Sequence, residues 1–99
     1  MNAMLAPVDQ VRDLVLDSTK SLKPTVEVLD ADVEEVVGSD EEPALRIRLN
    51  VVHQGSEKDW TLRRVRMIQK IRDELINSGD QRYPFVTVLT NKEWIARDR

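Results

Sequence analysis

The chain of 99 residues is long enough for one domain with a modest core. It is 40% hydrophobic but only 4% aromatic, so we expect valine, leucine and isoleucine to fill that core. The absence of cysteine from the sequence excludes disulfides, thiolate metal sites and cysteine nucleophiles, and a net charge of −3 disfavours a protein whose whole surface binds nucleic acid.

The sequence contains no pattern typical of a targeting or membrane segment. Residues 1–7 carry no basic side chain and are too short for the apolar part of a signal peptide. No apolar run approaches the roughly 20 residues of a membrane-spanning helix. We therefore expect a soluble, cytoplasmic protein that does not contact membranes.

Apolar residues recur at helical spacing along the N-terminal part of the chain, which predicts a first helix over residues 7–22. Pro7 suits the first position of a helix, because its missing N–H would have no partner there. Pro24 ends the helix, since the residue before a proline is biased away from helical geometry. The predicted apolar stripe contains Met4, Val8, Val11, Leu14, Val15 and Leu22.

Two strands are predicted next, at residues 25–37 and 44–53, joined by a polar turn. The first is rich in β-branched residues, and the second alternates apolar and polar residues as a half-buried strand does. We expect an antiparallel hairpin with the core-side pairs Val33–Ile47, Ala31–Leu49 and Leu29–Val51. The same register pairs opposite charges on the outer side, which favours it further: Glu34 with Arg46 and Asp32 with Arg48.

The longest predicted element is a second helix over residues 57–77. Ser56 and Asp59 have the spacing of a capping pattern at its start. Its main apolar face contains Trp60, Met67, Ile68, Ile71 and Leu75. The apolar region is wider than a helix packed on a sheet needs, and we expect the extra flank to meet the first helix or another chain. That flank consists of Leu62, Val65 and Ile76.

A third strand is predicted at residues 83–89 and a short helix at 91–97. The strand has apolar residues on both faces, which is typical of a strand that is covered on both sides or lies mid-sheet. Thr90 and Glu93 have capping-box spacing at the start of the short helix. Among the aromatic residues we expect Tyr83 at the surface and the others in the core: Trp60, Phe85 and Trp94.

Together these elements predict a single α+β domain over residues 1–99, in the order α-β-β-α-β followed by a short α-helix. A right-handed crossover through the second helix makes the third strand parallel to the second. The expected architecture is a two-layer sandwich with helices on one face of a three-stranded sheet. This element order resembles small two-layer modules that include the type II KH RNA-binding fold, although the sequence lacks that family's Gly-x-x-Gly loop.

A basic face on the second helix is the feature closest to a nucleic-acid site. Arg63, Arg66 and Lys70 share one exposed face and are spaced to contact phosphates. Charge runs of this kind more often form the solvated side of a helix. Binding of RNA or single-stranded nucleic acid through these three residues is the alternative hypothesis.

No grouping of residues predicts catalysis or metal binding. His53 is the only histidine, and a lone histidine at a strand end is usually a surface residue. A set of His53 with Ser56 or Asp59 has neither a nucleophile elbow nor an oxyanion loop beside it. We expect no catalytic residue, no metal and no cofactor.

Charge is unevenly distributed, since residues 25–42 contain eight acidic residues and no basic one. Such a segment favours either solubility or the docking of a basic partner. With the wide apolar flank and the lack of catalytic groups, it predicts a small non-enzymatic protein-interaction module, either a homodimer or an accessory subunit of a larger complex. The predicted interface is Leu62, Val65 and Ile76, with the outer edge of the hairpin as a second candidate.

Overall fold

The computed structural model describes residues 7–22 and 25–97, so Met4 and Pro24 lie outside the described residues. Pro7 precedes the first helix as its N-cap, and a 3-10 turn at Lys20–Leu22 extends that helix. The α+β class and the predicted element order are confirmed. No helix in the described part of the chain is long and apolar enough to cross a membrane. The elements are α1 (Val8–Thr19), β1 (Val26–Val37), β2 (Pro43–His53), α2 (Glu57–Asn77), β3 (Tyr83–Leu89) and α3 (Asn91–Ala96).

The three strands form one mixed sheet in the order β1-β2-β3, so β2 is central. β1 and β2 are antiparallel, whereas β3 runs parallel to β2, as the crossover through α2 predicts. The expectation that β3 lies mid-sheet is wrong, because β3 is an edge strand. Its alternative, a strand covered on both faces, holds in part, since α2 and α3 contact β3 from opposite faces. Its apolar outer residues are therefore left partly exposed.

The register of the hairpin agrees with the sequence except at one position. Val33 lies opposite Ile47, and the charged pairs of the outer side are also aligned as predicted. The expected pair of Leu29 with Val51 is wrong, because the register shifts between Val28 and Asp30. Val28 takes the place opposite Val51, and Leu29 is the extra residue of a β-bulge with half of its surface exposed.

The core lies between one face of the sheet and the two long helices. Removing a large aliphatic side chain from water contributes about 1.5–3 kcal/mol, so these contacts supply most of the stability. The helices bury the positions that the 3.6-residue period selects. The fully buried members are Val11 and Val15 of α1, Leu45, Ile47 and Leu49 of β2, and Met67, Ile71 and Leu75 of α2.

The short α3 contacts the opposite face of the sheet from α1 and α2, so the expectation of helices on one face holds for the two long helices and is wrong for α3. Asn50 points away from the core side of β2, and its Nδ2 donates to Asn91 Oδ1 at 3.1 Å. Arg97 lies 3.4 Å from the Asp32 carboxylate and stacks over Trp94 at 3.7 Å from the ring centroid. Trp94 is therefore buried, as predicted, but on the outer face rather than in the main core.

Both predicted caps are present. Ser56 Oγ accepts a hydrogen bond of 3.2 Å from the Asp59 N–H at the start of α2. At the start of α3, Thr90 Oγ1 accepts from the Glu93 N–H at 3.2 Å, and Glu93 Oε1 accepts from the Thr90 N–H at 2.9 Å. These bonds satisfy backbone donors that have no partner within the helix, and so they fix where α2 and α3 begin.

Candidate interaction surface

The side chains around the loop between β2 and α2 contact one another. The rings of His53 and Trp60 stack with their centroids 4.4 Å apart and their planes at 6°. The Ser56 hydroxyl is engaged by the Asp59 backbone N–H at the helix cap. In the described part of the chain, no three histidine, aspartate or glutamate side chains are grouped to hold a metal ion.

The basic face of α2 is partly used by contacts within the chain. Arg63 Nη1 donates to the Gln54 carbonyl at 2.7 Å, which anchors the loop that precedes the helix. Arg66 and Lys70 line a shallow depression together with the acidic side chains of Asp73 and Glu74. The positive charge of this face is therefore mixed with negative charge, which lowers its attraction for phosphates.

Much of the acidic hairpin is matched by arginines of the same chain. Asp30 pairs with Arg12 of α1, and although partial burial favours its protonated form, the hydrogen bonds from Arg12 and the Ala31 N–H hold the pKa of Asp30 below its ordinary value. These pairs stabilise the hairpin and reduce the field that a basic partner would meet. The other ion pairs are Asp32–Arg48, Glu34–Arg46 and Glu35–Arg82.

One flank of α2 exposes large aliphatic side chains. Leu62 and Val65 are each 53% exposed and Ile76 is 67% exposed. At about 100° per residue, these positions fall within about 60° of one another around the helix axis. Gln69 and Arg72 occupy the intervening turns of the same line. We call these five positions, 62, 65, 69, 72 and 76, the α2 stripe.

The C-terminal end of the α2 stripe lies beside the start of β3. Arg72 Nη2 donates to the Tyr83 hydroxyl at 3.3 Å, and its guanidinium carbon lies 5.5 Å from the Tyr83 ring centroid. Ile76 lines a surface depression together with Tyr83 and Pro84. Among the exposed aliphatic residues of α2, Ile76 therefore adjoins the edge of the sheet.

On the outer face of the sheet, two aromatic residues extend this apolar area. Tyr83 is 53% and Phe85 46% exposed, and their ring centroids are 4.8 Å apart. They line a groove of about 580 Å³ that reaches the hairpin turn at Asp40. The expectation that Phe85 belongs to the core is wrong, because β3 is an edge strand and α3 contacts the other end of this face.

The edge of β3 itself is open. Among the described strands, only β2 pairs with β3, so the backbone groups on its other side have no strand partner. The segment Tyr83–Leu89 contains no charged residue, although charged side chains commonly protect sheet edges from pairing. In the sequence, this open edge is indicated only by a segment of seven residues without charge. The same pattern also fits a central strand, so it does not identify the edge.

A buried ion cluster fixes the position at which β3 begins. Arg82 donates to Asp80 and to Glu35 of β1, and the side chains of Asp80 and Arg82 are almost fully buried. The cluster spans the end of the sheet from β1 to β3. It therefore holds the exposed Tyr83 and Phe85 in a defined place.

The two predicted sites adjoin on α2. Leu62, Val65 and Ile76 lie together on the α2 stripe, Arg66 borders the stripe beside Leu62 and Gln69, and Arg63 and Lys70 lie about 80–100° further round the helix from Leu62. Sequence analysis did not identify Tyr83, Phe85 or the open edge of β3 as part of the first site. Comparison with protein-family models, curated proteins and solved structures finds no match for this chain.

Proposed function

We propose that this protein is a small non-enzymatic interaction module that docks another protein chain on the α2 stripe and the adjoining edge of β3. The observation that carries the proposal is the exposure of Leu62, Val65 and Ile76 on one line of α2. Contiguous exposed apolar surface of this kind marks interaction sites on soluble proteins. The partner is a second copy of the chain or a subunit of a larger complex.

The composition of this surface agrees with the anatomy of protein interfaces. Large aliphatic and aromatic side chains alternate with Gln69 and Arg72 on this surface, and arginine and tyrosine are enriched at binding hot spots. Covering the aliphatic residues contributes roughly 25 cal/mol for each Å² removed from water. The backbone edge of β3 adds hydrogen-bonding groups beside them.

Nucleic-acid binding through α2 has weaker support. Arg63 is engaged with the Gln54 carbonyl, and Arg66 and Lys70 share their depression with two acidic residues. A site for phosphates needs several basic groups that are available together. This alternative becomes one of the outcomes of the experiment below.

Site-specific photo-crosslinking tests the proposal directly. A photo-reactive amino acid at Val65 in the natively expressed protein should give a discrete crosslinked product with a protein, and Leu62→Glu with Ile76→Glu should abolish it. The same probe at Lys70, about 140° from Val65 around the helix axis, is the matched control and should give no such product. Absence of a product at Val65, or equal products at both positions, would contradict the proposal, and crosslinks to nucleic acid at Lys70 would support the alternative.

A further inference from the structure

The two edges of the sheet differ in how they are protected. The edge of β1 carries a bulge at Leu29 and is rich in acidic residues, and both features oppose pairing with another strand. β3 keeps an unbroken register with β2 from Tyr83 to Leu89 and bears no charge. Its one edge-limiting residue is Pro84, which has no N–H to donate and lies near the start of the strand. Of the two edges, β3 is the one suited to accept a strand.

A second copy of β3, running antiparallel, is complementary to this edge. If a two-fold axis passes beside Val86, the middle residue of β3, then Phe85 lies opposite Thr87 of the second copy and Tyr83 opposite Leu89. These are aromatic pairs with β-branched or aliphatic residues, which stabilise antiparallel ladders. Because β3 is uncharged, no like charges meet across the pair.

The same axis also joins the two α2 stripes. Leu62 and Ile76 are fourteen residues apart, which is about 21 Å along a helix. The strand beneath them is of similar length, about 20 Å for the residues of β3. If Gln69 lies level with Val86, this axis brings Leu62 of one copy towards Ile76 of the other and Gln69 towards its own counterpart.

We infer that this protein forms a two-fold symmetric homodimer in which the β3 strands pair antiparallel and the α2 stripes pack against each other. The two sheets then form one continuous sheet with a β1 strand at each outer edge. This inference rests on the proposed function, because it names the occupant of the same surface.

A charge-swap experiment in solution tests the inference. Phe85→Lys with Thr87→Lys places lysines directly opposite each other on both sides of the two-fold axis, and Phe85→Glu with Thr87→Glu does the same with glutamates. Both residues are exposed in the monomer, so the variants should fold. The matched control is Leu29→Lys with Val37→Lys, which adds two lysines at exposed positions of β1.

Light scattering over a range of concentrations should show the wild type and the β1 control approaching twice the monomer mass. Each β3 variant alone should dimerise at least tenfold more weakly, and an equimolar mixture of the lysine and glutamate variants should recover the wild-type affinity. A wild type that stays monomeric at millimolar concentration overturns the inference. So does a lysine variant that dimerises normally, or a mixture that stays monomeric. If the wild type is monomeric while Val65 still crosslinks to a different protein, the homodimer is wrong and the proposed function stands.

Discussion

Arg82 Nη2 lies 2.6 Å from Asp80 Oδ2, and only 4% and 3% of the two side chains are exposed. The Arg82 Nε and backbone N–H also donate to Asp80 Oδ1, each at 3.0 Å. These bonds from Arg82 hold the pKa of Asp80 below its ordinary value, and the bond to Asp80 raises the pKa of Arg82. Since Arg82 also reaches Glu35, the pair ties the turn after α2 to the far edge of the sheet.

Replacing Asp80 with Asn should lower the free energy of unfolding by about 3 kcal/mol, because a buried arginine loses its charged partner. The residual pair with Glu35 keeps the loss at the lower end of the range for broken buried ion pairs. Urea unfolding measures the change. Asp73→Asn, at an exposed position of α2, should change the stability by less than about 0.5 kcal/mol. Equal losses in the two variants would show that the buried carboxylate of Asp80 contributes no more to stability than an exposed one.

The same carboxylate predicts a pH dependence. Because the pKa of Asp80 is lowered on folding from an ordinary value of 3.8, its contribution is present above that value and disappears as the pH falls through the folded-state pKa. When the pH is lowered from about 5 to about 2, the free energy of unfolding should therefore fall less for Asp80→Asn than for the wild type. Urea midpoints measured across this range should converge at low pH, and parallel curves would contradict the prediction.

Replacing Arg63 and Arg66 with alanine, one at a time, should change the free energy of unfolding by different amounts. Arg63→Ala removes the hydrogen bond to the Gln54 carbonyl and should lower the free energy of unfolding by about 1 kcal/mol. Arg66 is exposed, so Arg66→Ala should stay within about 0.5 kcal/mol of the wild type. Thermal unfolding of the two variants side by side makes the comparison. A larger effect at Arg66 than at Arg63 would be inconsistent with the anchoring role.

Alanine substitutions at Leu29 and Leu49 test whether β1 has the bulge. Leu49 is fully buried, so Leu49→Ala should cost about 2–5 kcal/mol through lost contacts and a cavity. Leu29 projects from the bulge and is half-exposed, so Leu29→Ala should cost less than about 1 kcal/mol. Chemical unfolding distinguishes the two cases. If Leu29→Ala costs as much as Leu49→Ala, then Leu29 is buried in the core and β1 has no bulge at this position.

The parts of the fold that the sequence predicts correctly are those with two independent signals. The alternation of β2 and the charge pairs Glu34–Arg46 and Asp32–Arg48 select the same register, and the structure has it. The starts of α2 and α3 follow from capping side chains that act within a few residues. Local interactions of this kind are encoded in sequence spacing.

The remaining features depend on contacts between distant segments. The bulge at Leu29 is invisible in the pattern, because Val28 and Leu29 are both apolar and either suits the core. The exposure of Phe85 depends on β3 lying at an edge, and strand order is set by the crossover and not by composition. The cluster of Asp80, Arg82 and Glu35 joins residues far apart in the chain, which no local spacing indicates.

Amide hydrogen exchange of β3 at low and high protein concentration most directly tests whether another copy docks on this edge. At low concentration the amides that face the open side of β3 should exchange readily. At high concentration these amides, and the backbone amides of α2 next to the stripe, should become protected. Amides at the edge of β1 should exchange at the same rate throughout, which provides an internal control. Exchange in β3 that is independent of concentration, or protection gained at β1 instead, would contradict the β3-paired dimer.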